Sequence, residues 1–225
     1  MPVRLRPLEI MMVQIKHKTS GKVLLKAKND AIRGCVLKGH DLAGADFSGQ
    51  DLSGCKFIGC NLCDSDFSGS NLSFAKLDNC ALRRANFSGA ILTKADLSDN
   101  VIDVARFSGA TAVGTLFRHS KLNGAELTKG NFSDADFFFC EMKECSLSGA
   151  SLISANLFGA DLTQADFSQC DLRKAIMTDA KIARATFTYA KMEGSIGTNG
   201  RPWGFTVKPK GEKKAWWKVW NNAAL

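Results

Sequence analysis

Along most of this chain a large apolar residue recurs at every fifth position: Leu37, Leu42, Phe47, Leu52, Phe57, Leu62, Phe67 and so on to Phe187 and Met192. Counting in fives gives (192 − 37)/5 + 1 = 32 centres: 16 Leu, 10 Phe, 3 Met, 2 Ile and one misfit, Ala112. No insertion or deletion shifts the phase. An amphipathic helix repeats near about 3.6 residues and a half-buried strand at every second one, so neither pattern applies. Self-similarity at a fixed period is instead the mark of a repeat architecture.

The residues around each centre predict the shape of one repeat. Two positions before the centre the residue is small, Ala at 17 of the 32 places, Cys at 7 and Ser at 3. The residue between is usually polar, as in Ala45-Asp46-Phe47, Ala85-Asn86-Phe87 and Ala160-Asp161-Leu162. Small-inward, polar-outward, large-inward is a short strand with alternating faces. The two residues after the centre read as a turn, and the second is often Gly, as at Gly44, Gly49, Gly54, Gly59, Gly69 and Gly89. Glycine recurring there predicts positive φ, as at the third residue of a type II turn. Each five residues therefore make one side and one corner.

Sorting the centres into four classes that each recur every 20 residues divides the ten Phe 6, 3, 1 and 0. Phe47, Phe67, Phe87, Phe107, Phe167 and Phe187 share one class, and four of them begin Phe-Ser-Gly. Four sides per coil, eight coils and a stacked Phe ladder on one side follow. Ala112, within Gly109-Ala110-Thr111-Ala112-Val113-Gly114-Thr115, predicts a local irregularity, with Ala112→Leu neutral or stabilising.

This A-(D/N)-L-x-x motif, with Phe alternating with Leu over about 160 of the 225 residues, resembles the pentapeptide-repeat family. The resemblance implies an all-β fold, a right-handed quadrilateral β-helix; the hand comes from the family and not from the spacing. At roughly 4.8 Å per stacked strand, eight coils would make a rod about 38 Å long.

The flanks depart from the period. Residues 1–34 comprise a poorly patterned leader, with Met1, Met11 or Met12 as the start, and two strand-like runs around Thr19-Ser20-Gly21 that predict a β-hairpin cap. Residues 35–194 form the repeat block, and 195–225 a basic tail that holds all four Trp: Trp203, Trp216, Trp217 and Trp220. Residues 212–222 suit a short helix with Trp216 and Trp220 on one face. The tail has three readings: a cap on the last coil, a dimerisation element, or a membrane-surface anchor.

Charge changes the picture by its distribution. The net charge of +8 splits into +6 on residues 1–34 (8 basic, 2 acidic), −3 on the repeat block (16 and 19) and +5 on the tail (6 and 1). A basic chain suggests nucleic acid, but here the excess lies in the flanks, where Lys protects strand edges; no direct nucleic-acid binding is expected.

Chemistry-bearing residues are few. Seven of eight Cys occupy the small inward slot (Cys35, Cys55, Cys60, Cys80, Cys140, Cys145, Cys170) and substitute for Ala. Cys35 and Cys55, like Cys60 and Cys80, are 20 apart and should stack, although parallel Cβ directions do not favour a disulfide. Cys63 should face outward from Cys60, which removes a C-x-x-C site. His17, His40 and His119 are scattered, and the recurrent Asp residues suit turn hydrogen bonding. No enzyme, cofactor or metal site is predicted, and a reducing cytoplasm is the expected location.

Surface recognition remains. Phe138 and Phe139 follow centre Phe137, and Phe158 takes Phe138's slot one coil later. Three outward Phe on one edge predict a partner or self-association patch, unless the tail covers them. The function expected is a non-enzymatic scaffold for a protein partner, with homodimerisation through the C-terminal end and Trp203, Trp216, Trp217 and Trp220 as anchors. The alternative implied by the resemblance is the subset that protects DNA gyrase or topoisomerase IV by DNA mimicry. The near-neutral repeat block, free of interrupting loops, departs from that subset.

Overall fold

The structure, a computed structural model, describes residues 12–28 and 32–203. The middle residue of each repeat bridges its counterpart twenty residues on, in parallel, on four successive sides. Val36 pairs with Lys56, Asp41 with Asn61, Asp46 with Asp66 and Asp51 with Asn71. These ladders run down to Asp171 with Lys191 and Ile176 with Ile196. On one side they extend to three-residue strands, β3 (Val36–Lys38), β4 (Lys56–Ile58) and β5 (Lys76–Asp78). The chain is thus a four-sided solenoid of 20-residue coils, and no helix occurs among the described residues.

Coil-to-coil bonds satisfy the backbone in both directions. The Phe67 amide donates to Asn86 O (2.7 Å), and the Asn86 amide donates back to Ser65 O (2.9 Å). Polar middle residues add side-chain bonds: Asp46 Oδ1 accepts from the Ser48 amide (3.0 Å) and Asp66 Oδ1 from the Ser68 amide (2.9 Å). Between coils, Asn86 Nδ2 donates to Asp66 Oδ1 at 3.0 Å. The repeated Asp residues therefore brace turns and ladders.

The predicted corner conformation is present at every repeat, but glycine is not what it requires. All 32 residues two past a centre have positive φ: 16 positive-φ glycines less Gly21, Gly34 and Gly200 leave 13, and 19 non-glycines complete the set. The turn closes when the next small residue donates to the centre carbonyl, as Ala45 N does to Leu42 O (3.0 Å). Hydrogen bonding and packing on both sides hold even Val104 at φ 60°, a conformation β-branched residues otherwise avoid.

Four corners on one side, after Leu37, Phe57, Leu77 and Leu97, lack this bond, and at the last two a side chain one coil on replaces it. At Leu77 the Asn100 side chain, one coil on, bridges the turn: its Oδ1 accepts from Cys80 N (2.7 Å) and its Nδ2 donates to Leu77 O (2.5 Å). At Leu97 the Ser120 hydroxyl repeats the device, accepting from Asn100 N (3.2 Å) and donating to Leu97 O (2.7 Å). One coil later the direct bond returns, Ser120 N to Phe117 O at 3.0 Å.

The core is a set of stacked columns. Phe47, Phe67, Phe87 and Phe107 lie face to face at centroid spacings of 4.9, 4.9 and 4.8 Å, and Phe167 and Phe187 resume the column at 5.1 Å. Phe57 meets Phe47 and Phe67 edge-on at 5.9 and 6.1 Å, an arrangement suited to the ring quadrupoles.

The irregularity expected at Ala112 is absent. Ala112 N donates to Asn131 O (2.7 Å), Thr115 N to Ala112 O (3.3 Å), and Ala112 is fully buried. Phe132, the one Phe of that column, stands directly beneath it. Its ring lies 6.5 Å from Phe107 in the coil of Ala112, 6.4 Å from Phe117 and 6.0 Å from Phe137. The Phe132 ring leans over Gly130, where an added Cβ would fall 2.4 Å from it.

At the N-terminal end, β1 (Met12–Lys16) and β2 (Val23–Lys28) form an antiparallel hairpin. It lies along the first coil: Lys18 N donates to Gly44 O (2.8 Å), Asp46 N to Lys16 O (2.7 Å), and Ile15 is buried. The His17 ring sits where a Cβ on Gly44 would fall, 2.5 Å from Nε2. At the other end Ile182, Phe187 and Met192 are only partly buried. Trp203 packs on Phe187 at 5.3 Å, and its amide donates to Ser195 O (2.9 Å).

Candidate interaction surface

The coil geometry brings Phe138, Phe139 and Phe158 onto one corner edge. Asp136 Oδ1 accepts from Phe138 N and Asn156 Oδ1 from Phe158 N, both at 3.1 Å. Asn156 Nδ2 ties the two coils by donating to Asp136 Oδ1 (3.0 Å), and Arg118 Nε donates to Asp136 Oδ2 (2.5 Å). A nearly buried carboxylate with three partners thus fixes the corner from which the rings project.

The rings pack on one another. Phe138 stacks on Phe158 at 5.5 Å and meets Phe139 edge-on at 4.6 Å; Phe139 and Phe158 are 5.7 Å apart. Phe139 leans across Gly159, whose added Cβ would lie 2.7 Å from the ring. Its φ of 50° turns the side chain outward, and it stays 50% exposed, whereas Phe138 and Phe158 are half-buried. His119 extends the cluster, 5.5 Å from Phe138 and 6.2 Å from Phe139. Taken as a scattered histidine from the sequence, His119 stands 20 residues before Phe139, so the coil period places it there.

Trp203 lies elsewhere, against Phe187 at the end of the solenoid. Trp216, Trp217 and Trp220 fall outside the described residues, as do the leader and the helix expected over 212–222. Other exposed apolar residues are separate: Phe74 is 60% exposed with Lys94 Nζ 6.0 Å from its ring centre, and Tyr189 stands alone at another corner.

Beside the aromatic edge runs a side of mixed sign, Lys121, Glu141, Asp161 and Lys181. Lys121 pairs with Glu141 (3.5 Å), and Lys143 and Lys181 both reach Asp161 (3.6 and 3.8 Å). Burial pulls the Asp161 carboxyl upward, but hydrogen bonds from Thr163 and the two lysines hold it below the ordinary carboxylate range. Such pairs cancel locally and leave no continuous acidic stripe on this side. Among the described residues no group of three or more His, Cys, Asp or Glu is arranged to hold a metal ion.

Two family models match the repeat block: "Pentapeptide repeat region" over residues 31–107, and "Pentapeptide repeats (8 copies)" over 105–137, 130–169 and 160–196. No curated protein matches. Among solved structures, the chain is similar to HetL, a pentapeptide repeat protein involved in heterocyst differentiation regulation from the cyanobacterium Nostoc sp. strain PCC 7120. Identity is 24%, coverage 75% of this chain and 90% of that one, and the TM-score 0.47. It is also similar to a trypsin-treated form of QnrB1, a plasmid-mediated fluoroquinolone resistance protein (25% identity, 69% and 88% coverage, TM-score 0.37). A pentapeptide repeat protein of the Arabidopsis thaliana thylakoid lumen matches at 29% identity over 56% of this chain and 71% of its own, with TM-score 0.25. With TM-scores this low, the matches to the repeat models carry the conclusion. The chain belongs to the pentapeptide-repeat family.

Proposed function

We propose that this protein is a non-enzymatic scaffold that docks a protein partner on the aromatic corner of Phe138, Phe139 and Phe158, with His119 at its upper end. The observation that carries this reading is a self-packed ring cluster held on a rigid corner with Phe139 half exposed. A preordered aromatic patch loses little conformational entropy on binding and is a favoured interface anchor. The test is affinity capture from the native host with wild-type protein and with Phe139→Asn, Phe158→Ser. Asn tolerates the positive φ at 139, so folding should persist. Loss of the captured partner with an unchanged circular dichroism spectrum supports the proposal, and an unchanged partner set overturns it.

Homodimerisation through the C-terminal end belongs to the same reading. Ile182, Phe187 and Met192 are less buried than the centres above them, and an isologous contact would cover them together with the tail tryptophans. Sedimentation of the intact chain and of a truncation after Gly197 decides it; an intact chain that is monomeric at tens of micromolar refutes it. A right-handed winding, taken from the family, is refuted by an experimental structure of opposite hand. The cytoplasm is the proposed location, since seven of the eight cysteines fill the small inward slot as Ala does, and fractionation of host cells tests it. Engagement of DNA gyrase is not favoured, because charges of opposite sign are paired across the coils.

A further inference from the structure

We propose that Cys35 and Cys55 are a redox modification site, closing into an intramolecular disulfide that staples the first coil to the second when a low-molecular-weight disulfide such as oxidised glutathione is present. The two sulfurs lie 3.1 Å apart, only about 1 Å beyond a disulfide bond of roughly 2.05 Å. The residues precede paired strands: Val36 of β3 is in register with Lys56 of β4. Adjacent strands stand about 4.8 Å apart, within the Cα range of roughly 4.4–6.8 Å that a disulfide spans. The expectation that stacked cysteines point along parallel directions and stay apart fails for this pair, whose thiols converge.

Cys55 also donates to Ile32 O, as the other inward cysteines do to a carbonyl of the coil before; what sets the pair apart is the second thiol at 3.1 Å. Cys60 directs its thiol at Leu37 O (3.4 Å) and Ile58 O (3.7 Å), and Cys80 at Phe57 O (3.5 Å) and Asp78 O (3.6 Å). Cys140, Cys145 and Cys170 are buried and each donate to a carbonyl of the preceding coil at 2.7–2.9 Å. Cys35, in the outermost coil, is partly exposed, so an oxidant can reach it. Reactivity is divided accordingly. The hydrogen bond with Cys55 lowers the Cys35 thiol against the opposing effect of burial, whereas burial pushes Cys80, Cys145 and Cys170 up to about 12. The thiolate is the attacking species, which makes Cys35 the nucleophile and Cys55 the resolving thiol.

The exchange balances in two steps. The Cys35 thiolate attacks one sulfur of RSSR, forming Cys35–S–S–R and expelling RS⁻. Cys55, losing its proton to that thiolate, attacks the Cys35 sulfur and expels the second RS⁻, which takes the proton from Cys35's own ionisation. The protein gives up two electrons and two protons, and RSSR becomes two RSH. The bond lies where the solenoid has a neighbouring coil on one side only, so it should oppose fraying of that end.

The full chain is equilibrated in glutathione buffers of increasing oxidised fraction, blocked with maleimide and weighed. The proposal expects 8 − 2 = 6 labelled thiols, a peptide cross-link mapping to Cys35–Cys55, no retained glutathione, and a melting temperature several degrees higher. Ser already fills the inward slot at Ser65, Ser70 and Ser120, so serine variants should fold. Cys55→Ser should trap one glutathione on Cys35, and Cys35→Ser should retain all its remaining thiols. Eight free thiols across the whole range, or a cross-link or adduct mapping only to other cysteines, overturns it.

Discussion

Removing the Asn100 amide tests whether a side chain can take the place of a turn bond. Asn100 is 2% exposed in a slot that is usually Ala. Asn100→Ala takes away the acceptor of Cys80 N and the donor to Leu77 O. Each orphaned buried group costs about 1–3 kcal/mol, hence about 2–6 kcal/mol for the pair. Tightening the corner into the direct bond seen between Ala45 N and Leu42 O would recover part, so about 2–4 kcal/mol is expected. For a block of this size, at about 2–4 °C per kcal/mol, melting should fall by roughly 5–15 °C by circular dichroism. Asn100→Ser should recover part of the loss, since a hydroxyl can accept and donate as Ser120 does at Leu97. Melting of Asn100→Ala within about 1 °C of wild type would show that the corner closes without help and refute the reasoning.

Val104→Gly or Val104→Asn should raise stability by up to about 1 kcal/mol in denaturant titrations, because the left-handed conformation costs an L-residue about 1–2 kcal/mol; a loss of stability would show that Val104's contacts outweigh its backbone. Ala112→Leu should cost about 1–3 kcal/mol by overpacking against Phe132, the reverse of the sign read from the sequence, and a Phe132→Leu partner change should restore most of it; simple additivity of the two melting shifts would contradict the shared volume. For pH, the Arg84 hydrogen bond on Asp64 and the Arg173 hydrogen bond on Asp171 hold both carboxyls below their ordinary values. A folded pKa below the unfolded one gives stability that is complete above about 3.9 and lost as pH falls through the depressed value. Melting temperature should therefore stay level from neutrality to about pH 5 and decline below about pH 4, and a decline between pH 7 and pH 5 would point to other groups.

The coil period was legible because each centre, small slot and corner repeats at fixed spacing, so packing needs no information from outside the five residues. The Phe column from Phe47 to Phe107 and the edge of Phe138, Phe139 and Phe158 follow from that count alone. What depends on volume in three dimensions did not. Ala112 reads as a defect in the sequence, yet its ladder and corner bonds are regular and it is fully buried. Gly130 shows the same limit: a Cβ there would fall 2.4 Å from the Phe132 ring, a constraint that side-chain direction sets and spacing does not. Asn100 and Ser120 share an inward column with His40, Cys60, Cys80 and Cys140, and their hydrogen-bonding role is visible only when the corners differ. His119 was within reach, since the same twenty-residue step that joins Phe138 to Phe158 joins it to Phe139.

Because hydrogen bonds between coils join residues about twenty apart and, among the described residues, none skips a coil, the repeat block can be lengthened or shortened like a ruler cut at its graduations. Excising twenty residues from the interior, for instance 81–100, would join two corners of the same class and leave the phase intact. The shortened rod would lose about 4.8 Å of reach and keep both of its ends. A deletion whose length is not a multiple of five would instead move the centres out of their slot from the cut to the end. The distance between the hairpin and Trp203 is therefore adjustable in whole graduations, without redesign of either end.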